Sequence, residues 1–161
     1  MNARVGIGYD SHRFADGRPL ILGGVTIPHE LGLTGHSDAD VLTHAVIDAL
    51  LGAAGAGDIG SHFPPDDERW RDADSIELLR LALAAIGGRP VNVDATVICE
   101  EPRLGPHRAA IESRLSEAVG APVTVKATTN EGLGAIGRGE GMAAMAVALY
   151  EPEPPDSGGD E

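Results

Sequence analysis

Aromatic residues, cysteine and long apolar runs are all scarce in this sequence. Its 161 residues include only five aromatic side chains, so the core must be built mainly from Ala, Val, Ile and Leu. The single cysteine, Cys99, cannot form an intrachain disulfide, and its apolar neighbours predict a buried small hydrophobe. The longest uncharged apolar run, residues 141–150, is too short to span a membrane, and the first residues carry no signal or transit pattern. We therefore expect a cytoplasmic protein with no membrane partner.

Positive charge is also scarce. The chain has 12 basic residues against 25 acidic ones, and the formal net charge is −13. A nucleic-acid-binding protein needs a positively charged surface, so we do not expect this chain to bind nucleic acid. Residues 151–161 contain five acidic residues, three prolines and no basic residue, which predicts a disordered acidic tail after a single domain at residues 1–150.

Apolar periodicity and turn signals predict an α+β domain whose helices pack on one face of a mixed β-sheet. Gly87 and Gly120 are expected to end two of the helices, and two long Gly-rich loops, 55–70 and 128–141, are candidates for function. The expected strands are 3–9, 90–99, 123–127 and 142–150, with a hairpin at 20–27; the expected helices are 37–54, 75–86 and 106–119.

The segment Asp10-Ser11-His12 is the most specific local signal for a metal site. In an extended chain alternate side chains face the same side, so the carboxylate of Asp10 and the imidazole of His12 converge. Together with His44 they form an Asp/His/His set, which is typical of a catalytic zinc with an open fourth position. The alternative is an Asp that caps a loop beside a surface histidine.

A second group of polar residues, 36–44, lies where the first helix is expected to begin. Ser37 stands three residues before Asp40 and could cap the helix, contact a phosphate at its N-terminus, or do both. Asp40 and His44 are four residues apart on one helix face, so Asp40 could orient His44 or could be a surface charge.

The segment 126–131 combines side chains that suit phosphate and a hard metal ion. Lys and Thr are phosphate partners, and the carboxylate of Glu131 suits Mg²⁺. Taken together, the residues point to metal-assisted phosphoryl transfer or hydrolysis.

At these positions the sequence resembles the 2-C-methyl-D-erythritol 2,4-cyclodiphosphate synthases of the non-mevalonate isoprenoid pathway. The resemblance runs in order from about residue 4 to residue 150 and leaves out only the acidic tail. It is carried by the segments GYDSHRF, LGGVTIP, HSDADVLTHAVIDALLGAAGAGDIGSHFP, DADS, NVDATVICEEP and VKATTNEGLG…GRGEG.

The resemblance implies a lyase that cyclises 4-diphosphocytidyl-2-C-methyl-D-erythritol 2-phosphate and releases CMP. It implies a homotrimer with active sites between subunits, Zn²⁺ on Asp10, His12 and His44, and Mg²⁺ or Mn²⁺ on Glu131. His36 and Thr129 would stabilise the transition state. The substrate-binding positions that it implies are Asp10, His12, His36, Ser37, Asp58, Ile59, Gly60, Phe63, Pro64, Pro65, Asp66, Asp67, Cys99, Glu100, Glu101, Pro102, Arg103, Leu104, Gly105, Thr128, Thr129, Asn130, Glu131, Ala135 and Arg138.

One position departs from the resemblance. Many of the synthases carry Phe where this chain has Ala135, at a cavity on the trimer axis where the equivalent of Arg138 holds an isoprenoid diphosphate. The smaller side chain leaves the size and ligand of that cavity open. A metal-dependent phosphohydrolase and a non-catalytic metal-binding oligomer remain the alternative functions.

Overall fold

The structure is a computed structural model, and it describes residues 2–154. Within this range the strands are β1 Arg4–Ala15, β2 Leu20–Leu22, β3 Val25–Ile27, β4 Gly32–Leu33, β5 Arg89–Ile98, β6 Val123–Thr128 and β7 Gly141–Glu151. The helices are α1 Val41–Ala54, α2 Ile59–His62, α3 Ser75–Ile86, α4 Arg108–Val119 and α5 Gly134–Gly137. Short 3-10 turns lie at Glu68–Trp70 and Gly105–His107.

Five of the strands form one mixed sheet in the order β4-β1-β7-β5-β6, and β2 and β3 form a separate hairpin. The pair β5–β6 is parallel, and the other pairs are antiparallel. The expected α+β fold with a mixed sheet and the expected hairpin are therefore confirmed.

Helix α1 packs directly against β1 because Gly6 and Gly8 have no side chains. A Cβ on Gly8 would lie 1.9 Å from the carbonyl oxygen of Ala45, and one on Gly6 equally close to that of Ala49. No larger residue fits at this separation, so the two glycines determine how near the helix lies to the strand. The core between them is aliphatic, as expected, and includes the fully buried Leu42.

The opposite face of the sheet leaves part of β1 and β7 exposed. Odd-numbered residues of β1 and β7 point to this side, and large apolar side chains are exposed there. They are Val5 (68% exposed), Ile7 (64%), Tyr9 (58%), Met145 (43%) and Val147 (45%). A patch of this kind is typical of an interface.

Four expectations need correction. Strand β1 continues to Ala15 and does not open into a loop at Asp10, because residues 4–13 pair with β7 throughout. Helix α1 begins at Val41 and not at Ser37. The loops 55–70 and 128–141 contain the short helices α2 and α5.

At the C-terminus, Glu151 is the last residue of β7, so the strand runs one residue beyond the expected domain boundary. The rest of the proposed acidic tail lies largely outside the described residues. Among the described helices, none has the length and apolar character needed to cross a membrane.

Candidate active site

Asp10, His12 and His44 converge at one point, as the sequence predicts. Asp10 Oδ2 lies 2.8 Å from His12 Nε2 and 3.1 Å from His44 Nδ1, and the two nitrogens are 3.3 Å apart. Asp10 and His12 occupy alternate positions on β1, and His44 faces them from the first turn of α1. Two imidazole nitrogens and one carboxylate oxygen fit a zinc ion and leave one tetrahedral position open.

The ring of His12 is oriented by the backbone. Its Nδ1–H donates to the carbonyl oxygen of Thr34 at 2.8 Å. Because a carbonyl oxygen can only accept, Nε2 is the nitrogen whose lone pair is presented to the cluster when the ring is neutral.

Ionisation in the cluster is coupled. Burial opposes the charge on Asp10, but its close contacts with the imidazoles of His12 and His44 outweigh burial and lower the pKa of Asp10 to about 2. Burial likewise opposes protonation of His12, but the hydrogen bond and charge of Asp10 raise the pKa of His12 above its ordinary value. The cluster therefore has an ionised carboxylate at neutral pH.

Ser37 does not cap the helix. Asp40 is the N-cap of α1 and accepts the backbone N–H of Thr43 at 3.0 Å. The hydroxyl of Ser37 instead lies 3.1 Å from His44 Nε2, so this serine belongs to the surroundings of the metal cluster. Its backbone carbonyl accepts a hydrogen bond from Arg18.

Asp40 is neither a surface charge nor a side-chain partner of His44. It is fully buried, and its carboxylate accepts the N–H groups of Gly23 (3.0 Å) and Gly24 (2.8 Å) together with the Thr43 hydroxyl (2.7 Å). Burial raises the pKa of Asp40. This residue ties the β2–β3 hairpin to the start of α1.

A cavity of about 210 Å³ opens beside the cluster and is mostly apolar. Many of the sequence-predicted residues lie together in its lining: His12, His36, Ser37, His44, Ile59, Gly60, Phe63 and Pro65. Sequence reasoning missed Trp70 and Leu78, which complete the wall. Trp70 is the only Trp of the sequence and lies in a long loop, and this was the signal that could have indicated it. Phe63 packs edge-on against its ring.

Four other predicted residues of this region, Asp58, Pro64, Asp66 and Asp67, do not line the cavity. Asp58 caps α2 by accepting the N–H of Ser61 at 2.8 Å. Asp67 caps the following 3-10 turn and pairs with Arg69, while its carbonyl oxygen accepts Nε2–H of His36 at 2.9 Å. These residues shape the loop around the cavity.

A second groove, of about 450 Å³, lies between the ends of β5 and β6. Many of the predicted substrate-binding residues line this groove: Cys99, Glu100, Pro102, Arg103, Leu104, Gly105, Thr128 and Thr129, together with Pro106 and Ala127. The expectation that Cys99 is buried is confirmed, and burial raises the pKa of its thiol to about 11. Glu101 lies instead on a neighbouring cavity of about 460 Å³ that also contains Arg138.

The loop that follows β6 is held by Glu100. Its carboxylate accepts the N–H of Asn130 at 2.9 Å and that of Gly132 at 3.3 Å, and Asn130 in turn donates to the Leu133 carbonyl at 2.8 Å. Glu131, with a left-handed φ of 53°, has an exposed side chain at the tip of this turn. An exposed carboxylate suits Mg²⁺, which usually takes one or two protein carboxylates and completes its shell with water and phosphate oxygens.

The metal cluster and the second groove lie at the same level of the sheet but on different strands. Ser11 pairs with Ala143, Ala143 with Ile98, and Ile98 with Thr128. Three strand spacings separate Ser11 from Thr128, or about 14 Å. Since side chains alternate along a strand, Thr128 shares the face of Ser11, whereas Asp10 and His12 point to the other face.

Ala135 lines a smaller cavity of about 170 Å³ with Ser11, His12 and Glu140 among its neighbours. Arg138 donates from Nε to Glu140 at 2.7 Å.

Comparison with known proteins identifies relatives along nearly the whole chain. The model of the YgbB family matches residues 3–151. This chain is also similar to curated proteins named 2-C-methyl-D-erythritol 2,4-cyclodiphosphate synthase. The protein from Synechococcus sp. (strain JA-2-3B'a(2-13)) is 59% identical over 152 residues, covering 91% of this chain and 97% of that protein. The protein from Gloeobacter violaceus is 57% identical over 154 residues, covering 92% and 94%.

Solved structures agree. A structure of 2C-methyl-D-erythritol-2,4-cyclodiphosphate synthase in its CDP-bound form has a TM-score of 0.82 at 40% identity, covering 92% of this chain and 100% of that one. The CDP complex of IspF from Plasmodium falciparum has a TM-score of 0.79 at 32% identity, covering 96% and 99%. The bifunctional IspDF of Campylobacter jejuni reaches 0.89 at 40% identity, covering 93% of this chain but 42% of that longer chain.

Proposed function

This chain belongs to the YgbB family, the 2-C-methyl-D-erythritol 2,4-cyclodiphosphate synthases, and on that basis we propose that it cyclises 4-diphosphocytidyl-2-C-methyl-D-erythritol 2-phosphate with release of CMP. Membership makes the protein a lyase of non-mevalonate isoprenoid synthesis. The observation that carries the proposal is the Asp10/His12/His44 cluster at the wall of a cavity lined by the family's motif residues.

Two metal sites belong to the proposal. Asp10, His12 and His44 would hold Zn²⁺, and Glu131 would hold Mg²⁺ or Mn²⁺ together with substrate phosphates. When bound, these ions would supply positive charge that orients the phosphates and neutralises their charge as it shifts during the reaction. In a chain of net charge −13, such cations would offset the repulsion between the protein and a polyanionic substrate.

The two cavities suit the two ends of the substrate. The apolar cavity lined by Phe63, Trp70 and Ser37 would receive the methylerythritol phosphate. The groove between Cys99 and Thr129 would receive the cytidine, and the loop from Thr128 to Glu131 the diphosphate. Asp58, Pro64, Asp66 and Asp67 would act through the loop that they shape.

In the proposed reaction an oxygen of the 2-phosphate attacks the β-phosphorus in line. The new P–O bond closes the ring, the bond from the β-phosphorus to the bridging oxygen breaks, and CMP leaves with that electron pair. The protein contributes position and charge rather than covalent chemistry. His36 lines the cavity, and its Nε2–H donates to the carbonyl oxygen of Asp67, so Nδ1 would be the ring nitrogen available to substrate. Thr129 would contact the diphosphate.

We also propose assembly as a homotrimer, and the positions of the metal cluster and of the Thr128–Glu131 loop, the two halves of the proposed site, support it. Within one chain the metal cluster and Thr128 are about 14 Å apart and face opposite sides of the sheet. A second chain would bring its own groove to the first chain's metal cluster. The exposed apolar face around Ile7 and Val147 supports such contacts.

An isoprenoid diphosphate on the trimer axis is a further part of the proposal. Arg138 would hold the diphosphate and would exchange its present partner, Glu140, for it. Ala135, near β1, would leave more room there than the Phe of many relatives.

Phosphorus NMR tests the function directly. Zinc-loaded protein with Mg²⁺ is incubated with the diphosphocytidyl substrate, and the products are followed by ³¹P resonances. A cyclic diphosphate together with CMP supports the synthase, inorganic phosphate would indicate the phosphohydrolase, and an unchanged spectrum would indicate a metal-binding oligomer without catalysis. Asp10→Ala should abolish turnover, whereas Asp16→Ala, which removes an exposed carboxylate outside the cluster, should retain it.

A further inference from the structure

The nitrogen of His44 that faces away from the cluster is surrounded by hydroxyl groups. His44 Nε2 lies 2.8 Å from the hydroxyl oxygen of Ser75 and 3.1 Å from that of Ser37, and all three residues are buried. A hydroxyl can donate or accept, so these contacts alone allow either neutral tautomer of the imidazole. Only the tautomer with hydrogen on Nε2 leaves the lone pair of Nδ1 free to bind a metal.

Asp38 removes that ambiguity. The hydroxyl of Ser75 donates its single hydrogen to the carboxylate of Asp38, with a short contact between the two oxygens. The same carboxylate accepts the backbone N–H of Ser75 at 3.0 Å and that of Asp40 at 3.2 Å, so it is held in place from two sides. With its hydrogen committed to Asp38, Ser75 can offer His44 only a lone pair, and Nε2 must be the donor.

We propose that Asp38 and Ser75 are positioning residues that select the Nε2–H tautomer of His44 and thereby present Nδ1 to the metal. The inference rests on the metal site of the proposed function but not on the cyclisation reaction. It gives a role to Ser75, the first residue of α3, at the end of the Asp-Ala-Asp-Ser segment. The His12 ring is oriented by a carbonyl acceptor, whereas that of His44 is oriented by a carboxylate acting through a hydroxyl.

The tautomer can be read in zinc-free protein labelled with ¹⁵N-histidine, at about pH 8, where an ordinary imidazole is neutral. Two-bond ¹⁵N–¹H correlations distinguish hydrogen on Nε2 from hydrogen on Nδ1. We expect His44 to populate the Nε2–H form in the wild type and to shift towards Nδ1–H, which can donate to Asp10, in Ser75→Ala. An unchanged tautomer population in Ser75→Ala would overturn the proposal.

Zinc affinity, measured by competition with a chelator, is the second readout. Loss of a residue that orients a metal-bound histidine typically weakens binding by about 10- to 100-fold. We expect a loss of at least about tenfold in Ser75→Ala and much less in Ser37→Ala, the matched control, which removes the other hydroxyl on the same nitrogen. Equal losses in the two variants would contradict the assignment to Ser75.

Asp38→Asn keeps the hydroxyl of Ser75 and nearly the same volume, so it tests the carboxylate separately if Ser75→Ala fails to fold. The amide can donate to Ser75 and release the hydroxyl hydrogen towards His44, so the Nδ1–H form should increase. A wild-type tautomer in folded Asp38→Asn would refute the role of Asp38. Because neither readout involves substrate, failure of the cyclisation proposal would leave these results unaffected.

Discussion

Asp10 is the residue on which the two cluster histidines depend. Its carboxylate contacts both imidazoles, and these contacts lower its pKa to about 2 against the effect of burial. In the zinc-free protein Asp10 and protonated His12 form an ion pair, since the pKa of His12 is raised in return. The pair therefore stabilises the fold only where Asp10 is ionised and His12 is charged.

This coupling predicts how the stability of the zinc-free protein depends on pH. A lowered carboxyl pKa adds stability above the ordinary value of 3.8, which is lost as pH falls towards about 2. A raised histidine pKa adds stability in full below 6.5, which is lost as pH rises through the folded value. Asp10→Asn should therefore lower the free energy of unfolding most between pH 3.8 and pH 6.5, by up to about 2 kcal/mol.

Urea unfolding of chelator-treated protein across this range measures the difference. Asp16→Asn is the control for loss of one negative charge, since that carboxylate is exposed and lies outside the cluster. A difference between wild type and Asp10→Asn that stays constant from pH 3 to pH 9 would show that the ion pair does not contribute.

At the scale of elements, the close approach of α1 to β1 determines where His44 meets Asp10 and His12. A Cβ at Gly8 would meet backbone atoms of α1, which cannot move aside as a flexible side chain can. We expect Gly8→Ala to lower the free energy of unfolding by at least about 2 kcal/mol. It should also weaken zinc binding, because the strand carries two of the three ligands.

Gly52→Ala is the matched control for that substitution. Gly52 lies on the same helix, and a Cβ there would have no neighbour closer than 3.8 Å. It should raise the free energy of unfolding by about 0.5–1 kcal/mol, because alanine favours a helix more than glycine does. The free energies of unfolding of both variants are measured with urea at one protein concentration. Equal effects of the two variants would show that the close packing of α1 on β1 does not determine the effect of Gly8→Ala.

Elements that depend on local chemistry could be predicted from the sequence, and those that depend on distant partners could not. The convergence of Asp10 and His12 follows from strand alternation alone, and the start of α3 from the cap by Asp74. The sequence alone does not distinguish Ser37 from Asp40 as the N-cap of α1, because serine and aspartate are both good caps. What selects Asp40 is the β2–β3 hairpin, whose Gly23 and Gly24 need its carboxylate.

The same distinction applies to the site. Asp38 and Ser75 are 37 residues apart, and no spacing rule connects them to each other or to His44. Trp70 lines the cavity and packs against Phe63, a contact between two side chains of a loop that no local sequence pattern indicates. The family resemblance implies most of the lining residues, and it also implies substrate contacts for Asp58 and Asp67, whose side chains cap short helical turns in the structure.

On the scale of the whole molecule, the exposed apolar face of the sheet and the separation of the metal cluster from the Thr128–Glu131 loop both favour the assembly of several chains. The apolar side chains exposed on β1 and β7 are concentrated on the face of the sheet opposite α1, so chains that associate there would bury them. In a cyclic trimer each chain would then give its metal half to one neighbour and its Thr128–Glu131 half to the other.

This arrangement predicts that two inactive variants restore activity when they are mixed. Asp10→Ala damages only the metal half, and Glu131→Ala damages only the other half, so each variant alone should be nearly inactive. In mixed trimers a site is intact when a Glu131→Ala chain supplies the metal half and an Asp10→Ala chain supplies the diphosphate half. Random assembly from equal amounts gives each choice even odds, so about a quarter of the sites should recover. Co-refolded mixtures are assayed by CMP release, and native mass spectrometry confirms that mixed trimers have formed. Activity no greater than that of the two parents, in a sample that contains mixed trimers, would mean that both halves of each site come from one chain.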